Sequence, residues 1–418
     1  MRIESEHSAS FIADLHIHSR YAFACSKSLS LDTLSAWAAR KGIDLLATGD
    51  FTHPLWAEEL RSGLEVGTNG LYVYHGVSFV PGTEISCVYK QGGRTRRIHL
   101  LVLMPNLDAA SALTRRLDDH GKLTNDGRPT VSLSARDLLS VALDCHPDAM
   151  VIPAHAWTPW YGVFGSKSGF DSLDECFGDL APLVTAVESG LSSDPAMNSW
   201  VSELDSRSVV SFSDAHSPAR LGREMTALKG ELSWDGLSKS LRGSGVEFTV
   251  EFYPEEGKYH YSGHRKCGVV YGPAEEAEYG TSCPVCGKEL TLGVLHRISE
   301  LASEPTGAEY AAGPDGWIRP DGRRPPFVRL APLQEIIAAM MGIGVNTRRA
   351  SREYNRLTDH FGNELAVLLY ASMSDLLPIA GEGLTRAILG VRSGDVAVEP
   401  GYDGVYGSIK LASADKTG

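Results

Sequence analysis

The chain has 418 residues, of which 43% are hydrophobic and 22% charged, with a formal net charge of −13. This is the composition of an ordinary soluble globular protein, and the length predicts two or three domains. The acidic balance argues against a protein that coats nucleic acid broadly, while leaving room for a local basic groove.

Met1 to Ser10 is polar with both charge signs, which predicts no signal peptide. The longest apolar stretches, such as Ile336 to Val345, are too short to span a bilayer, so no membrane partner is expected. Seven cysteines without a secretory leader fit a reducing compartment, and the expected location is cytoplasmic.

From residue 11 to about 253, seven short apolar runs carry His, Asp or Glu at or beside one end. His16 and His18 follow Phe11-Ile12-Ala13, Asp50 follows Leu45-Leu46-Ala47, and Glu84 follows Ser78-Phe79-Val80. His99 opens Leu100-Leu101-Val102-Leu103, His155 follows Val151-Ile152, Glu188 follows Leu183-Val184, and Asp214 with His216 follows Val209-Val210. Alternating with helical stretches, such runs read as buried parallel strands. Ser30 to Lys41 reads as a Ser-capped helix with a Leu31, Leu34, Trp37, Ala38 stripe, leading into strand Ile43 to Thr48. Glu84 to Met104 reads as an antiparallel hairpin turning at Gln91-Gly92-Gly93-Arg94, which would return His99 towards Glu84.

A strand Val246 to Phe252 precedes a boundary at Tyr253 to Gly257. The predicted domains are a metallohydrolase domain over 1–255, a zinc module over 256–300, and a Pro/Gly-rich connection (Ala302 to Arg329) with a helical region over 301–418. Helices are expected at Leu333 to Met341, Arg348 to Leu357, Glu364 to Leu377 and Thr385 to Leu389, with a turn at Gly401 to Gly407.

Ligand-type residues at the carboxyl ends of barrel strands converge on one face. His16 and His18, two apart on a strand end, point the same way. Mixed imidazoles and carboxylates suit two or three divalent ions (zinc, manganese or magnesium), which polarise a phosphate, activate water and stabilise a leaving oxygen. Further along, His264-x2-Cys267 and Cys283-Pro284-Val285-Cys286-Gly287 have the spacing of one structural zinc site, with His260 competing for the fourth position. The helix before Gly342-Ile343-Gly344, and the basic Arg348, Arg349 and Arg352 after it, suit a DNA phosphate or a plain solvated turn equally.

Asp14-Leu15-His16-Ile17-His18-Ser19, Ala47-Thr48-Gly49-Asp50, Gly82-Thr83-Glu84-Ile85, Ile98-His99, Pro153-Ala154-His155 and Ser213-Asp214-Ala215-His216 resemble the motifs of the PHP superfamily. That resemblance implies a distorted (β/α)7 barrel with a trinuclear centre for phosphoester hydrolysis. It implies His16, His18, Glu84 and Asp214 as ligands of one ion and Glu84, His99 and His155 of a second. Asp50, His53 and His216 are candidates for a third, although Thr48-Gly49-Asp50 departs from the usual Thr-Asp-His. Asp214, Glu84 and His216 are the expected catalytic residues.

With the appended His/Cys segment and helical tail, Thr48 to Pro54, Glu188 to Pro195, Asp214 to Pro218 and His264 to Cys267 resemble the endonuclease Q family of DNA-repair nucleases. The resemblance implies cleavage on the 5′ side of deaminated bases (uracil, hypoxanthine, xanthine) or abasic sites in DNA, and leaves a replication clamp as a candidate partner, although no convincing clamp-binding peptide is present. Of Trp157, Trp160, Tyr161 and Phe164, one or two are placed to stack on a base or fill its place while the others pack the barrel mouth, and Arg220 and Arg223 either grip phosphates or are ordinary surface arginines. Ser192, Ser193 and Asp194 are placed for polar contacts, and Glu188 as a substrate-binding or ligand-orienting residue. Two rival readings are a small-molecule phosphatase, disfavoured by the zinc module and the residues after it and to be separated by whether a basic channel crosses the metal face onto that module, and a non-catalytic scaffold that has lost barrel metals, disfavoured by the near-complete ligand set.

Overall fold

The computed structural model describes residues 10–303, 310, 312–320 and 324–411. The polar stretch up to residue 9 and parts of the 302–329 connection (304–309, 311 and 321–323) lie outside the described residues.

The fold is mixed α/β. β1 (Ser10–Asp14) pairs in parallel with β2 (Leu45–Ala47) through helix Leu31–Lys41. Ser30 caps that helix by accepting the Thr33 N–H, and Gly42 ends it at φ +89°, a conformation that glycine adopts without steric penalty. β3 (Glu65–Val66), β4 (Tyr72–Tyr74) and β5 (Val77–Val80) follow, and β5 lies parallel to β2. β6 (Gly82–Gln91) and β7 (Arg94–Leu103) form the predicted hairpin, with Ser86 opposite His99. That register sets His99 diagonally from Glu84 on one face.

β8 (Thr130–Val131) and β9 (Met150–Pro153) flank the hairpin, and β10 (Ala186–Glu188) runs parallel to β11 (Ser208–Val210). Glu188 thus sits within a strand. The run assigned before it, Leu183-Val184, is instead the end of a 3₁₀ turn, with Leu183 exposed. β12 (Met225–Lys229) runs antiparallel beside β1, and β13 (Val246–Glu251) runs antiparallel beside β12.

β14 (Ser262–His264) and β15 (Val269–Tyr271) make a hairpin in the Cys/His segment, which also holds helices Pro273–Tyr279 and Val294–Leu301. β16 (Phe327–Arg329) ends the connection by pairing parallel to β13. In the tail, helix Leu333–Met341 has its predicted bounds, and Arg348–Phe361 runs longer than expected. The helix expected over Glu364 to Leu377 breaks into a π turn at Ala366–Tyr370 and a new helix, Met373–Ser393, because Ser372 and Asp375 form a capping box. That helix absorbs Thr385 to Leu389 and kinks at Gly381 (φ +74°). β17 (Val396–Glu399) and β18 (Ser408–Leu411) form a hairpin around the Gly401 to Gly407 turn.

The reading of the seven runs as parallel strands holds for β1, β2 and β5 and is corrected in two respects. First, β9 runs antiparallel to β7, and β12, a strand not read from the sequence, runs antiparallel to β1. Second, the strands fall into an eight-stranded sheet (β16-β13-β12-β1-β2-β5-β4-β3), a four-stranded sheet (β8-β6-β7-β9) and the β10–β11 pair, rather than one continuous ladder. Pro81, which lacks an N–H, separates β5 from β6 where the chain changes sheets. Between β1 and β11 the link is a single bridge, Ile17 to Ala215. One buried cluster nonetheless draws on all three sheets: Ala13, Leu45, Val80, Leu101, Ile152, Ala186 and Val210 pack together. Among the described residues no helix is long and apolar enough to cross a membrane.

Candidate active site

The polar residues after the strands gather at one end of this core. Asp50, His155 and Asp214 hold φ of +44°, +31° and +46°, and among the described residues only seven non-glycine residues have positive φ. Such conformations are costly for side chains with a Cβ, and concentrate where function requires them.

Glu84 is the hub. Its Oε2 lies 3.6 Å from His16 Nε2 and 3.4 Å from His18 Nε2, and Asp214 Oδ1 is 3.4 and 3.2 Å from the same two nitrogens. Its Oε1 lies 2.6 Å from His99 Nδ1 and 3.1 Å from His155 Nε2. Ligand atoms of His16, His18, Glu84 and Asp214 therefore form one group, and those of Glu84, His99 and His155 another, each within 4.8 Å. A carboxylate common to two such groups is placed to bridge two cations.

The donors fit ions. Both oxygens of Glu188 lie 3.0 Å from His16 Nδ1, which fixes the ring, while the fully buried His16 Nε2 has no hydrogen-bond partner and faces Glu84 and Asp214. Burial alone would lower the His16 pKa, yet the charges of Glu188, Asp214 and Glu84 hold it well above its usual range. At His18, burial is likewise outweighed by Asp50, Asp214 and Glu84. Burial would raise Asp214, but His16 and His18 hold its carboxyl well below its usual range. Protonated imidazoles thus supply the positive charge that buried carboxylates demand, a charge a cation would supply with better geometry. At His99 burial dominates over Glu84 and holds the ring neutral, with its pKa lowered to about 4, the form a ligand needs.

Beside the metal-type groups opens a cleft of about 670 Å³ lined by Thr158, Trp160, Ser192, Arg220, Arg223, Lys258, Tyr259, Glu256, Glu335 and Tyr406 among others. It adjoins the centre directly. Thr158 Oγ1 lies 3.0 Å from His155 Nδ1, and Arg223 donates to the backbone oxygens of Ser213 (2.7 Å) and Asp214 (3.2 Å). Trp160 meets Tyr259 edge to face at 5.5 Å, so the cleft continues onto the Cys/His segment. Burial pushes Glu256 up to about 7, helped by Glu335.

A family model described as the MJ0043 C-terminal domain matches residues 332–395. Over 265 residues the chain is 30% identical to the uncharacterized protein MJ0043 of Methanocaldococcus jannaschii, covering 62% of this chain but 31% of that protein, less than a third of its length. Over 421 residues it is 30% identical to the uncharacterized protein YqxK of Bacillus subtilis, covering 95% of this chain and 98% of that one. The crystal structure of the lesion-specific endonuclease Q of Pyrococcus furiosus superposes with a TM-score of 0.83 at 29% identity, covering 98% of each chain. An endonuclease Q in complex with a 27-mer duplex carrying an abasic lesion at its active site gives a TM-score of 0.82 at 30% identity over 98% of this chain and 100% of that one. This chain belongs to the endonuclease Q family.

The other residues singled out from the sequence divide. Trp157 is fully buried, donates from Nε1 to Asn198 Oδ1 (2.8 Å) and packs on buried Phe164, so neither faces the cleft. Ser193 is buried and donates to Ser189 O at 2.9 Å, and buried Asp194 caps a helical turn and pairs with Arg329. Tyr161 lies against the His99 ring at 4.3 Å between centroids. Arg220 is exposed at the cleft rim and pairs with Glu335.

The third set is not gathered by the structure. Asp50 spends its oxygens on His18 Nδ1 (3.0 Å) and on the Ser19 N–H (2.6 Å) and hydroxyl (2.7 Å). His53 stacks on Tyr21 at 4.5 Å, and His216 turns Nδ1 towards Asp214 O at 2.9 Å. Sequence reasoning missed Arg128, whose Nη1 sits 3.2 Å from Glu84 Oε2. It lies in a loop after Gly127, away from any strand-end pattern, and no sequence signal marks it. Buried Asp14, pushed up to about 6 by burial, ties β1 to the Asp214 loop through the Ser213 and Gly222 N–H groups, at 3.0 Å each. In the Cys/His segment, His264, Cys267, Cys283 and Cys286 converge as one four-ligand group, and His260 lies outside it, buried.

Proposed function

We propose that this protein is a metal-dependent DNA-repair endonuclease that hydrolyses the phosphodiester on the 5′ side of deaminated bases (uracil, hypoxanthine, xanthine) or abasic sites, leaving a 3′-hydroxyl and a 5′-phosphate. The observation that carries the reading is Glu84, shared by two imidazole–carboxylate groups at the edge of a cleft. In this reading two sites are held by His16, His18, Glu84 and Asp214 and by Glu84, His99 and His155, taking zinc, manganese or magnesium, and His264, Cys267, Cys283 and Cys286 hold a structural zinc. Such ions supply an activated water and neutralise charge on phosphate and leaving oxygen.

The chain's own groups do the rest. Glu188 and Asp50 fix the His16 and His18 rings so that their Nε2 atoms face the shared carboxylates. Arg128 and Arg220 are cations at hand for phosphate oxygens, and Arg223 holds the Asp214 loop. The cleft lies within the about 300–1,000 Å³ typical of ligand pockets, and Trp160, Tyr259 and Tyr406 give it aromatic walls for a nucleotide turned out of the stack.

The buried cluster common to the three sheets supports reading the first 255 residues as a distorted (β/α)7 barrel followed by a zinc module and a mainly helical region. The cleft is lined by Arg220, Arg223 and Lys258 together with Glu256 and Glu335, and Lys258 and Tyr259 come from the segment read as a zinc module, which a monoester phosphatase does not need. Incubation of labelled duplexes carrying uracil, hypoxanthine, xanthine or an abasic site with Mg²⁺ or Mn²⁺, using wild type and Asp214→Ala, tests the reading. Nicking 5′ to the lesion by wild type alone is expected. Equal nicking of intact DNA, or none of any duplex, would reject it.

A further inference from the structure

The loop that carries His155 is gripped from the Cys/His segment. Residues 155–170 fold back on themselves, the Phe164 N–H donating to Ala156 O (2.9 Å) and the Phe170 N–H to Val163 O (2.7 Å). On one side Arg96 of β7 donates to Gly169 O and lies over the Phe170 ring at 4.0 Å. On the other, Arg297 of helix Val294–Leu301 donates from Nε to Phe164 O (2.9 Å) and from Nη2 to Phe170 O (3.1 Å), and pairs with Asp171 and Glu300. Its side chain is 12% exposed. A guanidinium so enclosed, with its planar fork spent on backbone carbonyls, fixes a loop more firmly than a surface ion pair does.

The helix bearing Arg297 is itself fastened to the Cys/His cluster. Its first residue, Val294, donates to Tyr259 O (2.8 Å), and the Gly293 N–H donates to Ser262 Oγ (2.8 Å). Thr291 exchanges two backbone hydrogen bonds with Gly263, the neighbour of His264, at 3.0 and 2.9 Å. Contacts therefore run from the four-ligand group through Gly263 and Thr291 to Arg297, then through Phe164 to Ala156, the residue after His155.

We propose that Arg297 is a positioning residue through which the integrity of the Cys/His cluster sets the geometry of the loop bearing His155 and Trp160. The proposal draws on the endonuclease reading only for its activity readout. Without the clamp the loop keeps its sequence and its contacts to Arg96, but its outer carbonyls lose their shared partner, and the cleft wall formed by Trp160 against Tyr259 loses its fixed backing.

Amide hydrogen exchange of the zinc-loaded full chain tests this, comparing wild type with Arg297→Lys, Arg297→Ala, Cys286→Ser and the double variant. In Arg297→Ala the Phe164 and Phe170 amides should exchange roughly tenfold faster, with zinc content and protection over 259–294 unchanged. Arg297→Lys should fall between, since an ammonium cannot span both carbonyls. Cys286→Ser should loosen the same loop, and adding Arg297→Ala to it should have no further effect. For the lesion duplex, KM should rise about tenfold more than kcat falls. Unchanged exchange at Phe164 and Phe170, lost zinc in Arg297→Ala, or fully additive effects would overturn the proposal. If Cys286→Ser does not fold, the Arg297 variants alone decide. If wild type cleaves no duplex, the endonuclease reading falls while exchange still decides the coupling.

Discussion

His16 Nδ1 lies 3.0 Å from both oxygens of Glu188, and Glu188 Oε2 also accepts the backbone N–H of His155 at 2.7 Å. One buried carboxylate thus orients a donor of each group: it turns Nε2 of His16 towards Glu84 and Asp214, and anchors His155 at its strained φ of +31°. Residues of this kind typically change metal affinity about 10–100-fold when removed. Glu188→Ala should lower metal retention at the Glu84 groups by that order. Glu188→Gln, which keeps an acceptor but not the charge, should lower it less. Metal analysis after dialysis, with the fold checked by circular dichroism, measures both. Full retention of metal with lost nicking would instead place Glu188 against substrate.

Glu84 stands between the two groups, so its loss should be felt in both. Glu84→Gln should reduce bound metal at both groups and lower nicking at least about 10³-fold, whereas Asp214→Ala should affect the group of His16 and His18 more than that of His99 and His155. Metal stoichiometry beside single-turnover nicking separates them. Equal losses from the two variants would argue that the groups fill as a single unit.

Much of this site is legible in the sequence, because most of its donors sit at the ends of short apolar runs that form buried strands, Leu183-Val184 being the exception. The hairpin that returns His99 towards Glu84 was legible in Gln91-Gly92-Gly93-Arg94 and the runs on either side, while its register, Ser86 opposite His99, came only from the structure. The roles of Asp50, Trp157 and Ser193 were not legible. Whether Asp50 faces a metal or the Ser19 N–H depends on backbone at φ +44°, and whether Trp157 faces a cleft or Asn198 depends on a loop folded by its own carbonyls. Strand β12, antiparallel to β1, was not read at all, and the antiparallel pairing of β7 with β9 was not legible, since a buried strand has the same apolar pattern either way. The hairpin of β17 and β18 went unseen because its residues are half-exposed and lack an apolar run.

Behind the site Glu251 is fully buried. Burial pushes its carboxyl from the ordinary 4.5 up to about 8 despite hydrogen bonds from Ser211 and Thr249. Between pH 4.5 and 8 the folded chain holds a proton there that the unfolded chain releases. Stability contributed by this group is therefore present at low pH and lost as pH rises through the window, by up to about 1.4 kcal/mol per unit. Glu251→Gln, neutral throughout, should remove that slope and denature at higher urea than wild type at pH 8, with nicking unchanged. Measuring urea midpoints of both proteins from pH 5.5 to 8 isolates the difference. A variant less stable at pH 8 would mean that the native carboxyl is ionised.

Trp157 and Trp160 lie three residues apart and should answer substitution in opposite ways. Trp157 is sealed against Phe164 with its indole N–H on Asn198, so Trp157→Ala leaves a large void and an unpaired amide, costing about 3–5 kcal/mol. Trp160 is 37% exposed and touches Tyr259 across the cleft mouth. Trp160→Ala should shift stability by no more than about 0.5 kcal/mol. If its ring stacks on a turned-out nucleotide, however, the loss of about 1–3 kcal/mol of stacking should raise KM for a lesion duplex roughly 5–150-fold. Trp160→Phe should recover most of it. Thermal melts together with KM on uracil-containing duplex check the pair. Reduced stability with unaltered KM at Trp160 would make its ring a wall of the fold and would move the lesion contact to Tyr259 or Tyr406.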